Sequence, residues 1–342
     1  MSDPYFNFIN TLNSERTKVL YAYCLNEFLT FTRKNLVEFI SINNADQTNL
    51  IIQYLVSKKV SAQYKNVILA TIKHACDMND VILNWRKIKK FTGSTKTGNE
   101  IAGKDRGYTH AEIAKILEFS DQRIKTAFLI LCSTGIRYGA LPSLKVGDLE
   151  RIDDLFKVTV YSGEKEQYTT FTTIETAKAI DAYLDFRRRT GEHITSDSYV
   201  IVQRNGQPFK GYSLRSILQD SIGKTGLKEI GPKFKRKETP LLHAFRKFFT
   251  KQLMDSKVDK AIVELLHGHD IGLTGRYWKP TQQELYQEYL KAVPALTISQ
   301  EEKLKVELNE KTQIQKTVIE SLQQQMDLFK REVNGMKKRK RK

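Results

Sequence analysis

The 342-residue sequence predicts a mainly α-helical protein with one small antiparallel β-sheet. Three observations lead there. Apolar residues recur at three- and four-residue spacing through most of the chain, the period of a helix with one buried face. A single region, 155–173, carries β-branched and aromatic residues on both sides of a polar turn. A polar, glycine-rich, basic stretch at 92–107 interrupts the helical pattern, as a linker would. The expected organisation is a helical domain over 1–91, a basic linker over 92–107, a mixed domain over 108–296 and a helical tail over 297–342.

The elements follow in order. In SERTKVLYAYCLNEFLTF (14–31), Leu20, Cys24, Phe28 and Phe31 form an apolar stripe. Asp46 is positioned to cap a helix over 47–59. Ser61 does the same for 62–78, where Val67, Ile68, Ile72 and Cys76 share a face. A short basic helix, NWRKIKKF (84–91), closes the first domain. Beyond the linker, Thr109 and Glu112 form a capping box for a helix carrying Ile113, Ile116 and Leu117. The segment RIKTAFLILCST (123–134) is apolar enough for a buried helix, and Gly135 can end it. A second helix containing Leu141 and Leu144 is expected after Arg137. Strands over 155–163 and 168–173 flank the turn EKEQ (164–167), and helices resume at 175–189 and continue to about 292. In the tail, Ile319, Leu322, Met326, Phe329 and Val333 follow 3-4-3-4 spacing, a short coiled-coil-like seam ending in KKRKRK (337–342). That seam reads either as a solvated helix or as a contact for a partner helix or a DNA backbone.

Composition bounds the function. A hydrophobic content of 40% with 10% aromatics indicates a folded protein. The excess of 56 Lys+Arg over 39 Asp+Glu, a net charge of +17, favours a polyanionic partner, because every phosphate contact releases a condensed counterion. The three cysteines, Cys24, Cys76 and Cys132, lie far apart in apolar helical runs, as reduced thiols of an intracellular core do. With no leader and no apolar run long enough for a bilayer, the expectation is a soluble, cytoplasmic protein without a membrane role. No phosphate-cradling Gly-x-x-x-x-Gly-Lys loop and no carboxylate cluster are present, so neither a nucleotide nor a metal cofactor is expected.

Four features remain, each ordinary on its own. Arg137 follows a helix-ending glycine in STGIRYGALPSL (133–144). Lys165 sits in the hairpin turn. His243 and Arg246 occupy one helical face at i, i+3 in HAFR. Finally, LHGHDIGLTGRYW (266–278) places His269 after Gly268 and Tyr277 eight residues later. A metal site there would need nearby cysteines or carboxylates at familiar spacings, which are lacking. His267 reads as a packing or helix-end residue. Tyr277 has a rival reading as core, since Tyr286 and Tyr289 follow on an amphipathic helix.

In this order and at these separations the four features resemble the tyrosine recombinase family, the phage-type integrases. The surrounding text is similar to integrases of archaeal mobile elements. The resemblance spans roughly residues 10–296. It implies a helical core-binding domain followed by a mixed α/β catalytic domain, and an enzyme that cuts and rejoins DNA through a 3′-phosphotyrosine. It further implies Tyr277 as nucleophile, Arg137 and Arg246 as phosphate clamps, and Lys165 as general acid for the departing 5′-oxygen. His243 would assist proton removal from Tyr277, and His269 would bind a phosphate oxygen. Two departures stand out: His267 is an extra histidine, and Ser162 replaces a lysine the hairpin often carries, leaving Lys157 as an alternative acid.

The residue types suit that chemistry. A covalent protein–phosphate bond conserves the energy of the broken diester. A phenolate both attacks and leaves, provided cations stabilise the charge that develops. The implied partner is double-stranded DNA with specific attachment sites, bound by a homotetramer on paired sites, the protein being monomeric when free of DNA. Backbone contacts are expected from Arg86, Lys87, Lys89 and Lys90, and from Lys233, Lys235, Arg236 and Lys237. The alternatives are a type IB topoisomerase-like relaxing activity, or a non-catalytic DNA-binding accessory protein.

Overall fold

The computed structural model describes residues 3–93, 106–209, 211–227, 241–272 and 274–305, with scattered residues between 308 and 326. The chain forms two compact units, Met1–Gly103 and Lys104–Lys342. Most of the expected linker, like the seam residues Phe329 and Val333 and the basic end 337–342, lies outside the described residues.

The first unit is helical: α1 (Pro4–Asn10), α2 (Glu15–Thr32), α3 (Leu36–Ser41), α4 (Asn44–Ser57), α5 (Ala62–Asp77) and α6 (Trp85–Lys89). Ser61 caps α5 through the Tyr64 amide, as expected. The cap of α4 is Asn43 rather than Asp46; Asp46 lies inside the first turn and holds the Asn43 amide in place at 2.7 Å. On α2 the buried residues are Cys24, Leu25 and Phe28, whereas Leu20 and Phe31 lie exposed. The stripe read from spacing is thus correct in its middle and overextended at both ends. Phe28 stacks edge-on against Phe39 and Tyr54, with centroids 5.0 and 5.3 Å apart. Such ring pairs add about 0.5–1.5 kcal/mol each beyond burial.

The second unit holds the sheet. Helices α7 (His110–Glu118) and α8 (Gln122–Thr134) come first, α7 opened by the Thr109–Glu112 capping box. Gly135 ends α8 in the left-handed region, at φ +62°. A Cβ there would lie 2.3 Å from the Phe249 ring, so position and conformation both require glycine. The helix expected over Leu141 and Leu144 is only a 3-10 turn, Leu141–Ser143. Pro142 lies in that turn and has no amide proton to donate to a helix. Strands β1 (Leu149–Ile152), β2 (Leu155–Val160) and β3 (Tyr168–Phe171) form an antiparallel sheet in the order β1-β2-β3. Its registers include Leu149 opposite Val158 and Lys157 opposite Phe171. β1 is an element the sequence reading missed.

Helices α9 (Ile174–Arg189), α10 (Gly211–Lys224), α11 (His243–Asp255) and α12 (Lys260–Leu266) follow, then the short α13 (Thr274–Tyr277), α14 (Gln282–Leu290) and α15 (Val293–Leu296). α8 is buried from Thr126 through Thr134 and packs on α9 and α11. Two polar ties set the C-terminal helices beneath the site. The Tyr289 hydroxyl donates to the Ser133 carbonyl at 2.8 Å. The Glu175 carboxylate accepts the amides of Ile298 and Ser299 at 2.7 and 3.0 Å, and burial raises its pKa despite those bonds. Ile319, Leu322 and Met326 of the tail are exposed. Cys24, Cys76 and Cys132 are free and buried. Among the described residues no helix is long and apolar enough to cross a membrane.

Candidate active site

Arg246 is the centre of a polar cluster in the second unit. One turn into α11, it is 7% exposed, and its guanidinium reaches three acceptors. It donates to the Gly135 carbonyl at 2.7 Å and the His267 carbonyl at 2.8 Å, and meets His269 Nε2 at 3.0 Å. Those carbonyls belong to the C-termini of α8 and α12, whose last carbonyl groups lack helical partners and attract a cation. Burial is the largest influence on Arg246 and lowers its pKa; the neighbouring Tyr168 opposes this and Arg137 adds to it.

The histidine tautomers follow from the partners. A guanidinium has donors only, so His269 Nε2 must accept. The proton therefore sits on Nδ1, which donates to the Glu264 carboxylate at 2.5 Å. Beside His267, the Thr250 hydroxyl donates its proton to the Arg246 carbonyl at 2.9 Å. Thr250 must then accept from His267 Nε2, 2.8 Å away. His267 Nδ1 is left buried without a hydrogen-bond partner among the described residues. Burial, with the charge of Arg246 behind it, pulls the His267 pKa down to about 3, so this ring is neutral at physiological pH. It ends α12 and packs edge-on against Phe249, so it fills both the packing and the helix-end roles.

Gly268 follows at φ +67°, and a Cβ on it would lie 2.3 Å from the Tyr168 ring. The glycine thus allows His269 to turn back toward Arg246 and allows Tyr168 to approach. Tyr168 opens β3 at the end of the hairpin turn.

The other candidate residues are more open. Arg137 lies exposed just past Gly135 and the buried Ile136, close enough for its charge to act on Arg246, Tyr168 and His267. His243 is the first residue of α11 and is exposed; it shares that helix with Arg246 but not its burial. Lys165 is exposed in the β2–β3 turn. Lys157 differs: its side chain is nearly buried, pairs with Glu150 and donates to Gln282 Oε1 at 3.2 Å. Its ammonium is therefore already engaged.

Tyr277 ends α13 and is 90% exposed. That removes the core reading, which belongs instead to Tyr286 and Tyr289, both buried and hydrogen-bonded. A cleft of about 720 Å³ lies along α13, lined among others by Tyr168, His269, Ile271, Gly275, Trp278 and Lys279. The tyrosine-bearing segment and the arginine–histidine cluster therefore border one space. Among the described residues no three His, Cys, Asp or Glu side chains converge as metal ligands do.

Arg86, Lys87, Lys89 and Lys90 are exposed around the buried Ile88, which anchors α6. Lys233, Lys235, Arg236 and Lys237 lie outside the described residues. Sequence reasoning missed Glu264, Thr250 and Tyr168. A carboxylate one helical turn before a Gly-His pair was the available signal for Glu264; Thr250 and Tyr168 carried none.

Comparison with known proteins bears on this cluster. Residues 107–284 match the Phage integrase family. The tyrosine recombinase XerC of Staphylococcus epidermidis is 29% identical over 174 residues, 50% of this chain and 54% of that protein. The chain thus spans about half the length of the curated relatives it matches. Among solved structures, the Tn1549 transposon integrase in complex with circular intermediate DNA aligns with a TM-score of 0.56 at 16% identity, covering 84% of this chain and 96% of that one. A lambda integrase tetramer bound to a Holliday junction aligns at 0.52 and 15%, covering 82% and 78%. At these identities the structural likeness shows the fold.

Proposed function

Since the chain belongs to the phage integrase family, we propose that it is a site-specific tyrosine recombinase that cuts and rejoins DNA to integrate or excise a mobile element. The observation that carries this reading is Arg246: a buried guanidinium held by two helix ends and His269, with the charge of Arg137 acting on it, while His269 lines a cleft that the neighbours of Tyr277, Gly275 and Trp278, also line. Two neighbouring cations and an exposed phenol on a nearby helix suit a phosphodiester under attack by that phenol.

In the proposed reaction the Tyr277 oxygen attacks the scissile phosphorus while the bond to the 5′-oxygen breaks. The phenolic proton passes toward His243, and Lys165 protonates the departing 5′-oxygen. Arg137 and Arg246 hold the non-bridging oxygens, whose charge grows in the transition state. His269 accepts from Arg246 through Nε2 and so holds that guanidinium in place for the phosphate, with Glu264 keeping the ring oriented. A 5′-hydroxyl from a second duplex then displaces the phenolate and restores the diester, with no nucleotide required. Lys157 is too engaged with Glu150 and Gln282 for the acid role, which favours Lys165.

The first unit, the α6 residues and the basic run 233–237 would hold the DNA backbone, and a homotetramer on paired attachment sites would carry out exchange. The working location is DNA in the cytoplasm. The test is incubation with a nicked half-site duplex carrying the attachment sequence, followed by peptide mass mapping of any covalent adduct. We expect the adduct on Tyr277, formed equally in EDTA. An adduct on another residue, or one that requires magnesium, overturns the assignment. Joining of two separate duplexes then distinguishes recombination from simple relaxation.

A further inference from the structure

Tyr168 stands beside the arginine–histidine cluster, and the mechanism above gives it no task. Its ring rests against Gly268 so closely that a Cβ there would be 2.3 Å away, and the Tyr161 ring lies 6.3 Å off, centroid to centroid. Its hydroxyl is closed off from solvent and its proton meets no acceptor among the described residues; the Arg246 guanidinium, which can only donate, is the group near it. Buried hydroxyls normally find partners, because an unmet one carries the full cost of its desolvation. The cations whose charge reaches this phenol are Arg246, the stronger, and Arg137. Both are donors only, so neither can accept the phenolic proton. No acceptor for the phenolic proton stands among the described residues, and Tyr168 lines the cleft beside His269, where a bound ligand would supply one. Burial raises the phenol's pKa, although Arg246 opposes it, which keeps the proton in place to be donated.

We propose that the Tyr168 hydroxyl donates a hydrogen bond to a non-bridging oxygen of the scissile phosphate, as a third donor beside Arg137 and Arg246. The proposal rests on the recombinase reading of this site. The phenol keeps its proton throughout; it stabilises charge and transfers nothing. Tyr168 also follows the hairpin turn that carries Lys165, so phosphate binding at Tyr168 would draw that turn toward the DNA.

The test is Tyr168→Phe, which keeps the ring against Gly268 and removes only the oxygen. The full-length variant and the wild-type protein are compared by thermal melting, by duplex affinity, and by single-turnover adduct formation on a nicked half-site at saturating DNA. We expect unchanged or higher thermal stability without DNA, near-normal affinity, and adduct formation slowed by about ten- to a hundredfold, as loss of a hydrogen bond to a charged group implies. Adduct formation at the wild-type rate overturns the proposal. A variant that melts lower overturns it too, since the hydroxyl would then have a partner within the fold. If the wild-type protein forms no adduct while melting normally, the recombinase reading itself fails and this inference falls with it.

Discussion

Arg246 and Arg137 carry the same charge and are assigned the same task, yet the fold treats them oppositely. Arg246 is buried and engaged with the Gly135 and His267 carbonyls and with His269. Arg137, two residues past Gly135, faces solvent. The same division runs through the rest of the site: in the fixed half His267 is buried and His269, though exposed, is held by Arg246 and Glu264, while His243, Lys165 and the 90% exposed Tyr277 belong to the open half. A preorganised donor acts without rearrangement when charge develops. An open one takes its position from the substrate. On the proposed reading, one wall of the phosphate site is built by the fold and the other is left open to be ordered by DNA.

That contrast can be broken by substitution. Arg246→Ala should do the most damage, because it strikes both folding and chemistry. Two buried carbonyls lose their partner, so unfolding free energy should fall by about 3 kcal/mol in chemical denaturation. Adduct formation should drop by about three orders of magnitude or more. A variant as stable as the wild type would show that Arg246 is not a structural anchor. Tyr277→Phe should separate the two effects completely: no adduct, with melting temperature and duplex affinity unchanged, because the side chain is exposed. Arg137→Ala should cost less in cleavage than either. Cleavage should slow by about a hundred- to a thousandfold, while stability moves by no more than about 0.5 kcal/mol, as for an ordinary surface position. A large stability loss there would erase the distinction between the two arginines.

The fixed half was also the harder half to read. The sequence announced the mainly helical fold and the hairpin, and the ends of individual elements followed where one residue decides them: Gly135 ending α8, the Thr109–Glu112 box opening α7, Ser61 capping α5. It misplaced the cap of α4, since Asn43 and Asp46 are both competent cap residues and only their mutual hydrogen bond shows which one leads. It extended a helix through Leu141 and Leu144 because apolar spacing survives in a 3-10 turn. Arg246 could be singled out by its motif, but read on its own it is a surface arginine. Its burial depends on carbonyls 111 and 21 residues away. No local pattern encodes contacts at that range. The exposed residues, Arg137 and Tyr277, depend less on such partners, so their spacing carried most of what can be said of them.

A smaller effect separates the halves by pH. The His267 pKa is down at about 3, below the ordinary histidine value, so between those values the unfolded chain binds a proton that the folded protein refuses. Stability is therefore complete above about pH 6.5 and declines as the pH falls from there toward the folded value, by roughly 1.4 kcal/mol per unit at its steepest. The groups facing the ring, Arg246, His269 and Arg137, are all cationic or can become so, and reinforce that direction. His267→Gln should flatten the profile between pH 6.5 and 5 in denaturant titrations, even if it lowers stability at pH 7. An unchanged slope would place the acid sensitivity elsewhere.

The least disruptive test concerns the first unit, where charge is wholly on the open side. Lys87 is exposed on α6 while the buried Ile88 and the partly buried Trp85 pin that helix to its core. Removing the ammonium takes away no buried partner, so Lys87→Ala should leave unfolding unchanged. If the lysine meets a DNA phosphate, one fewer counterion is released on binding, and the slope of log affinity against log salt should become shallower by about 0.9. The loss should be the same for specific and random duplexes, because a backbone contact carries no base information. A slope identical to wild type would mean that the basic face of α6 is solvated rather than bound. An affinity loss confined to the attachment sequence would mean that it reads bases, and either result would move this helix out of the role of a backbone contact.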